Sequence, residues 1–380
     1  MPRRLLVVTP YAPGGSHFHA AADLAGHLAD GLARDFELHV AAPMGEPAEA
    51  VGFRLHTLPA PAFTKRDYFG LLPAATRMDW PAAATAAVLR LVREIEPDHI
   101  HFEYLQSAEA ALGLDDGTWS LTLHDVGERV FSDRAKAATG LEGVYRRLES
   151  VRVRRIERRV IRSAGRVFVF AERDASHVRN LGGNPQVIRV GTSLPPVEWS
   201  HPADGHPVLL FAAAMSRDVN ARAARWLVHE VMPHVWANIP EVRLRLVGDG
   251  SDQILAGDPV DDRIEQVGRV TSFDAEFVAA SVVLAPSLVG AGVLLKAVKG
   301  MAAGAPVVLT SHSAAPFLSA NGEIALVGDT SKQFASAAVY LIQNPEEASA
   351  MGKRARAFVA ENHSWPAAVR AVSDGLVGLS

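Results

Sequence analysis

The first chemical signal in this sequence is the stretch GAGVLLKAVKGMAAGAPVV, residues 290–308. Pro286 and Ser287 close a short apolar run, and Gly290, Ala291 and Gly292 then lead into a helical pattern beginning near Val293. Glycines at such a turn allow backbone conformations closed to other residues and let a ligand approach closely. The free N–H groups of a first helical turn, backed by the helix dipole, suit an anion. Lys296, about one turn in, adds a point charge for a phosphate. The same residues also fit an ordinary strand-to-helix turn, since neither a dinucleotide fingerprint nor a P-loop is present.

Other groups repeat this logic. PGGSHFH (13–19) puts Gly14 and Gly15 between a first strand and a helix, with His17 and His19 as ligand contacts or surface residues of the helix start. LTLHDVGERV (121–130) sets His124 and Asp125 at the end of a strand. A histidine there serves as base or hydrogen-bond donor, oriented by Asp125 or Glu128, or it caps the turn. In HIHFEYL (99–105), His101 and Glu103 share a strand face, and Glu103 is the better candidate because a buried carboxylate needs a reason to be there. No nucleophile elbow, HExxH or cysteine metal framework occurs. Asp115-Asp116 and Asp261-Asp262 read as turns, so no metal is expected.

The elements that must position these groups alternate. RLLVVTP (4–10), FELHVAAP, HIHFEYL, SLTLHDV (120–126), RVFVFA (166–171) and VIRVGTS (187–193) read as strands, with helices between them, including 84–96. A Pro/Gly/Ser-rich break at 191–207 reads as an interdomain linker. Alternation restarts with VLLFAAAM (208–215), a helix around 221–237, VRLRLVGDG (242–250), IEQVGRV (264–270), VVLAPS (282–287) and IALVGD (324–329), then helices at 331–343 and 346–361. This predicts two α/β halves in tandem, with ligand chemistry in the cleft between them. RRLESVRVRRIERRVIR (146–162) is a basic helix. Leu148, Val151, Ile156, Val160 and Ile161 can face a core while the arginines stay solvated, or the helix can lie on anionic lipid.

Composition sets wide bounds. The 380 residues, 48% hydrophobic and 21% charged, suit two globular domains. A net charge of -4 gives no reason to expect nucleic acid. The absence of cysteine excludes disulfides and thiolate metal sites. The apolar run at the N-terminus is too short for a signal-peptide core, and no stretch approaches a spanning helix. A cytoplasmic protein is expected, with a peripheral place at the inner membrane face left open through 146–162.

The second half resembles the nucleotide-binding domain of family 4 of the retaining glycosyltransferases, which have the GT-B fold. The segments that carry this are VLLFAAAMSRDVNARAARWLVHEVMPHV, VRLRLVGDG, VGRVTSF, VVLAPSLVGAGVLLKAVKGMAAGAPVV and ENHSW. The first half is similar more loosely, through PYAPGGSHFH, LTLHDV and RRIERRVIRSAGRVFVFAERDASHVRNLG. The loop looks closest to the Gly-Ala-Gly branch. The resemblance implies two Rossmann-like domains facing each other across a cleft. Residues 1–193 would form the acceptor side, with helix 364–380 packed back on it, and 194–363 the nucleotide-sugar side.

It also implies roles. Gly14 and Gly15 would approach the donor diphosphate, and His124 would sit near the sugar or acceptor. Arg217 would lie on the diphosphate, and Arg269 and Val270 would border the base. Ser287 and Gly290, Ala291, Gly292 and Val293 would hold phosphate, supported by Lys296. Acceptor recognition would fall to variable loops at 45–85 and 127–145. The implied reaction moves a sugar from a nucleoside diphosphate to a hydroxyl of a natural product, glycan or lipid, with retention and without metal or other cofactor. The family's two glutamates, with seven residues between them, fall here on Ala291 and Lys299. A carboxylate accepts hydrogen bonds from a ribose diol, whereas lysine only donates, a loss on the order of 1–3 kcal/mol per charged hydrogen bond. The alternatives are therefore a GT-B protein that has lost transfer and serves as a binding or partner subunit, and a nucleotide-sugar epimerase.

Overall fold

The computed structural model describes residues 3–13, 20–43, 52–60, 73–200, 205–257, 261–288, 295–315, 317 and 322–378. The chain divides into two compact units, Met1–Gly191 with Trp365–Ser380, and Thr192–Ser364.

In unit 1 the order is β1 (Arg4–Val8), α1 (Ala20–Leu32), β2 (Glu37–Pro43), β3 (Arg54–Leu58), α2 (Ala74–Asp79), α3 (Ala82–Ile95) and β4 (His99–Glu103). Then come α4 (Tyr104–Ser107), β5 (Trp119–Thr122), α5 (Gly127–Ala137), α6 (Gly140–Ser163), β6 (Arg166–Val169), α7 (Glu172–Asn180) and β7 (Pro185–Val187). The seven strands are all parallel, in the order β3-β2-β1-β4-β5-β6-β7. Strands such as RLLVV are apolar on both faces because helices cover both. One face packs Leu6, Phe102, Trp119 and Leu121 against α3 and α6; the other packs Leu5, Val7, Leu38 and Phe168 against α1 and α15 (Trp365–Val377). A Cβ on Gly375 of α15 would stand 2.5 Å from the Phe168 ring, so that helix lies close on the sheet.

Unit 2 runs β8 (Val208–Ala212), α8 (Asp218–Trp226), α9 (Met232–Trp236), β9 (Arg243–Val247), β10 (Ile264–Gly268), α10 (Phe273–Ala279) and β11 (Val282–Ala285). It continues through α11 (Leu295–Ala303), β12 (Val307–Leu309), α12 (Ser311–Ala314), β13 (Leu326–Val327), α13 (Ser331–Gln343) and α14 (Pro345–Asn362). Its parallel sheet has the order β10-β9-β8-β11-β12-β13.

Several expectations are corrected. The helix expected over 221–237 is split by a π-turn at Leu227–Val231. Pro233 follows, and the wider turn accommodates its ring and missing N–H. The strand expected over 187–193 keeps only Val187, since its partner β6 ends at Val169. The segment expected as a loop at 127–145 forms α5 and the start of α6. In the supposed linker, Trp199 is buried and its indole N–H donates to the Ala280 carbonyl at 2.6 Å.

The basic helix is turned differently than expected. Leu148 and Val151 are 47% and 49% exposed, whereas Glu149 and Glu157 are buried. Glu149 accepts from the Ala74 N–H at 2.8 Å, and Glu157 from the Gly127 and Glu128 N–H groups at 3.0 and 2.7 Å. Both carboxylates thus serve the open N-termini of neighbouring helices α2 and α5.

Candidate active site

Strand order reverses between β1 and β4 in unit 1 and between β8 and β11 in unit 2, and ligands of open α/β sheets bind beyond the strand ends at such breaks. The polar side chains gather there.

In unit 1 the register pairs His101 with Ser120 and Glu103 with Thr122. Because alternate residues share a face, four polar side chains line up on one buried surface of two adjacent strands. His101 Nδ1 lies 2.7 Å from Ser120 Oγ, and Ser120 Oγ lies 2.9 Å from His99 Nε2. His101 Nε2 lies 2.8 Å from Glu103 Oε1 and 3.0 Å from Thr122 Oγ1. Glu103 Oε2 meets His124 Nε2 at 2.5 Å.

One proton assignment satisfies the hydrogen bonds of this chain around one carboxylate. His99 donates to Ser120, Ser120 donates to His101 Nδ1, and His101 and His124 each donate from Nε2 to Glu103. Burial holds His99 at about 4, with the neighbouring His101 and Arg166 adding to the effect, so it stays neutral. Burial alone would raise Glu103, but hydrogen bonds from His101 and His124, and their charges, bring it down to about 2. The carboxylate is therefore held in its ionised form.

Tyr104 completes the group. It leaves the strand in the left-handed region, φ 71, a conformation that costs a residue with a side chain about 1–2 kcal/mol. Its ring stacks on His124 at 3.6 Å between centroids and 7° between planes, and Tyr11 meets it edge-on at 5.1 Å. Glu103, Tyr104, Thr122 and His124 line a largely apolar cavity closed by Leu24 and Leu28 of α1, Phe170, and Trp365 of α15. Asp125 was expected to orient His124; it is exposed and lies outside that lining. Glu128, the other expected partner, pairs with Arg154 at 3.0 Å. The β4–β5 register places Glu103 at the imidazole, so the orienting carboxylate comes from a neighbouring strand and not from the next residue.

In unit 2, Lys296 stands in the first turn of α11, part-buried. Its Nζ donates to Asn220 Oδ1 at 3.0 Å and lies 4.4 Å over the Phe211 ring. Burial, and next the charge of Arg217, push its pKa down to about 7. Arg217 occupies the N-cap position of α8. Among the described residues no carboxylate pairs with Lys296, so two cations share a corner that an anion would stabilise.

The remaining predicted residues are dispersed. Ser287 is held by Thr310, its N–H donating to Oγ1 at 3.1 Å and its carbonyl accepting from Oγ1 at 3.0 Å. Arg269 is exposed and pairs with Asp249 at 2.8 Å. Asp249 sits between Gly248 and Gly250 in a turn that only glycine fits: a Cβ on Gly248 (φ +124) would lie 2.1 Å from the Ala213 carbonyl oxygen. Val270 is half-buried, and Lys299 is half-buried one turn beyond Lys296 on α11. Gly14, Gly15, His17, His19, Gly290, Ala291, Gly292 and Val293 lie outside the described residues.

Among the described residues, Glu128, Glu157 and His177 have ligand atoms within 4.8 Å of one another, the spacing of a metal site. Both oxygens of Glu157 already accept backbone N–H groups of α5 and Glu128 pairs with Arg154, so this cluster is committed to holding helices together.

Sequence reasoning passed over Tyr104, Ser120, Thr122, Phe211 and Asn220. Only Asn220 leaves a signal, a polar amide three residues after Arg217 in the first turn of a helix that follows a buried strand.

Two family models match this chain. One, described as a glycosyl transferase 4-like domain, covers residues 20–191; the other, glycosyl transferases group 1, covers residues 206–344. Among solved structures, sucrose-phosphate synthase from Thermosynechococcus elongatus is 18% identical with a TM-score of 0.76, covering 99% of each chain. WaaG, a glycosyltransferase involved in lipopolysaccharide biosynthesis, is 14% identical at TM-score 0.71, again over 99% of each chain. Anabaena HepE, in complex with UDP and glucose, is 14% identical at TM-score 0.69, over 99% of each. At these identities the likeness shows the shared fold. Among curated proteins, none matches.

Proposed function

Because the chain belongs to the 4-like, group 1 glycosyl transferases and has the GT-B fold, we propose that it moves a sugar from a nucleoside-diphosphate donor to an acceptor hydroxyl. The observation that carries this reading is the cationic corner of unit 2. Breaking the bond between the sugar's anomeric carbon and the diphosphate leaves the electron pair, and growing negative charge, on the phosphate oxygen. Lys296 and Arg217 meet that charge as it develops, which is where fixed charges lower a barrier most. Because these side chains supply the positive charge, the transfer needs no divalent ion in this reading. Retention of configuration belongs to the same proposal.

The new bond joins the acceptor oxygen to the anomeric carbon, and the acceptor's proton passes to the departing phosphate oxygen. His124, fixed by Glu103 and Tyr104, hydrogen-bonds the sugar or this hydroxyl. The acceptor is a small molecule, glycan or lipid. HepE in complex with UDP and glucose supports a uridine nucleotide as the first donor to try.

A thermal-shift panel of UDP-, GDP-, ADP- and dTDP-sugars tests the reading. One donor should stabilise the protein, by about 2.7 kcal/mol at a hundredfold excess over Kd; stabilisation by none of them would overturn it.

The second reading, a protein that binds nucleotide without transfer, is favoured by Lys299, which can only donate where a ribose diol asks for an acceptor. The substitution Lys299→Glu separates the two. If Lys299 contacts the donor phosphates, affinity falls by about tenfold or more, the weight of one charge-assisted contact. A gain in affinity instead favours the impaired protein.

A further inference from the structure

Helix α6 exposes the wrong residues for a helix that only packs on a core. Its inner side buries Gly143, Glu149, Val153, Ile156, Glu157, Val160 and Ile161. Its outer side carries Leu141, Val144, Leu148 and Val151 at 90%, 62%, 47% and 49% exposure. Spacings of three and four keep these residues in one stripe along the helix. The same stripe continues through the exposed Arg155, Arg158, Arg159 and Arg162, with exposed Arg147 beside it. One half of the stripe is therefore apolar and the other half guanidinium, on a protein whose net charge is -4.

We propose that this outer face of α6 docks on anionic phospholipid bilayers. Exposed large apolar side chains in a contiguous row mark an interaction surface. A helix lying in the plane of a bilayer surface buries such a row at the boundary between head groups and acyl chains, while its basic residues meet lipid phosphates. Guanidinium groups pair with phosphate bidentately. A second copy of the chain fits this face poorly. Paired antiparallel, the arginine half of one helix would lie on the apolar half of the other; paired parallel, arginines would oppose arginines. Either way, arginines would lose water without gaining carboxylates. The docking does not depend on which sugar or nucleotide the site takes.

Co-sedimentation with vesicles tests this. The full chain is mixed with vesicles of phosphatidylcholine plus phosphatidylglycerol, or of phosphatidylcholine alone, at low and high salt. The wild type is expected to sediment with the anionic vesicles, less at high salt, and to stay in solution with the neutral ones. Reversing three charges (Arg155→Glu, Arg158→Glu, Arg159→Glu) lowers partitioning on the order of a hundredfold or more. Removing the apolar row (Leu141→Ser, Val144→Ser, Leu148→Ser, Val151→Ser) lowers it on the order of tenfold or more. Thermal midpoints and donor-induced shifts of both variants should match the wild type, which separates lost docking from lost folding. Wild-type protein that ignores anionic vesicles, or variants that sediment as well as it does, would overturn the proposal. So would a dimer in solution that the serine variant dissolves, which would make the face a contact between copies.

Discussion

The two units break their strand order at equivalent places and fill the break with opposite chemistry. Beyond β1 and β4 stands one deeply held carboxylate, saturated by two imidazoles and roofed by tyrosine rings. Beyond β8 and β11 stands a lysine with an arginine nearby and an amide oxygen as its hydrogen-bond acceptor. The first arrangement is complete in itself: each donor has its acceptor, and the charge is satisfied internally. In the second, no carboxylate pairs with Lys296 among the described residues, and a bound anion would favour its charged form. In the function proposed above, the first supplies a prebuilt hydrogen-bonding group and the second a place for an anion.

The largest effect should come from disturbing the complete side. Glu103→Gln replaces a double acceptor with a group whose NH2 must face an imidazole N–H, and it should lower turnover by about a hundredfold and stability by about 1–3 kcal/mol. Because Glu103 is ionised down to about 2 against an ordinary 4.5, its stabilisation is full above the ordinary value and fades as pH falls towards the folded one. The acid-unfolding curve of Glu103→Gln should therefore be flatter than the wild type below pH 4.5. If both proteins follow one curve, the carboxylate is not held as described.

Titration of the second side is next in size. Donor binding should draw a proton onto Lys296, whose pKa in the free protein is about 7. Affinity is then level below that value and falls about tenfold per pH unit above it, until the pKa of the bound form is reached. Lys296→Arg, always charged, should flatten that slope. Calorimetric titrations across neutral pH check both, and a level profile in the wild type would remove the lysine from the donor site.

The smallest effect tests the roof. Tyr104→Gly releases left-handed strain of about 1–2 kcal/mol and loses ring stacking of about 0.5–1.5 kcal/mol. Stability should hardly change while turnover falls, as read by thermal unfolding beside a transfer assay. A large loss of stability would make Tyr104 a packing residue instead.

The sheets were legible in the sequence wherever a run is buried on both faces, as in RLLVV, VLLFA and VVLA. Lys296 and His124 could be singled out because each follows such a run in the sequence. What joins them to partners was not legible. Glu103 meets His124 through the register of two strands whose residues lie about twenty positions apart, and no spacing rule carries that information. The left-handed turn at Tyr104 has no residue signal, since glycine or asparagine is the expected occupant. The sidedness of α6 misled for another reason. Apolar residues recur at helical spacing on both of its faces, and its buried carboxylates answer to helix ends far along the chain. Periodicity alone puts Leu148 and Val151 inside, and the N-termini of α2 and α5 put Glu149 and Glu157 there instead.

The division of labour between the two breaks can be measured in one crossed experiment: donor Kd and kcat for Lys296→Met and His124→Ala, each against the wild type. Lys296→Met should lose donor binding by on the order of a hundredfold. His124→Ala should bind donor within about twofold of the wild type and lose on the order of a hundredfold in kcat. A His124→Ala protein that turns over normally, or a Lys296→Met protein that binds donor as tightly as the wild type, would contradict the account.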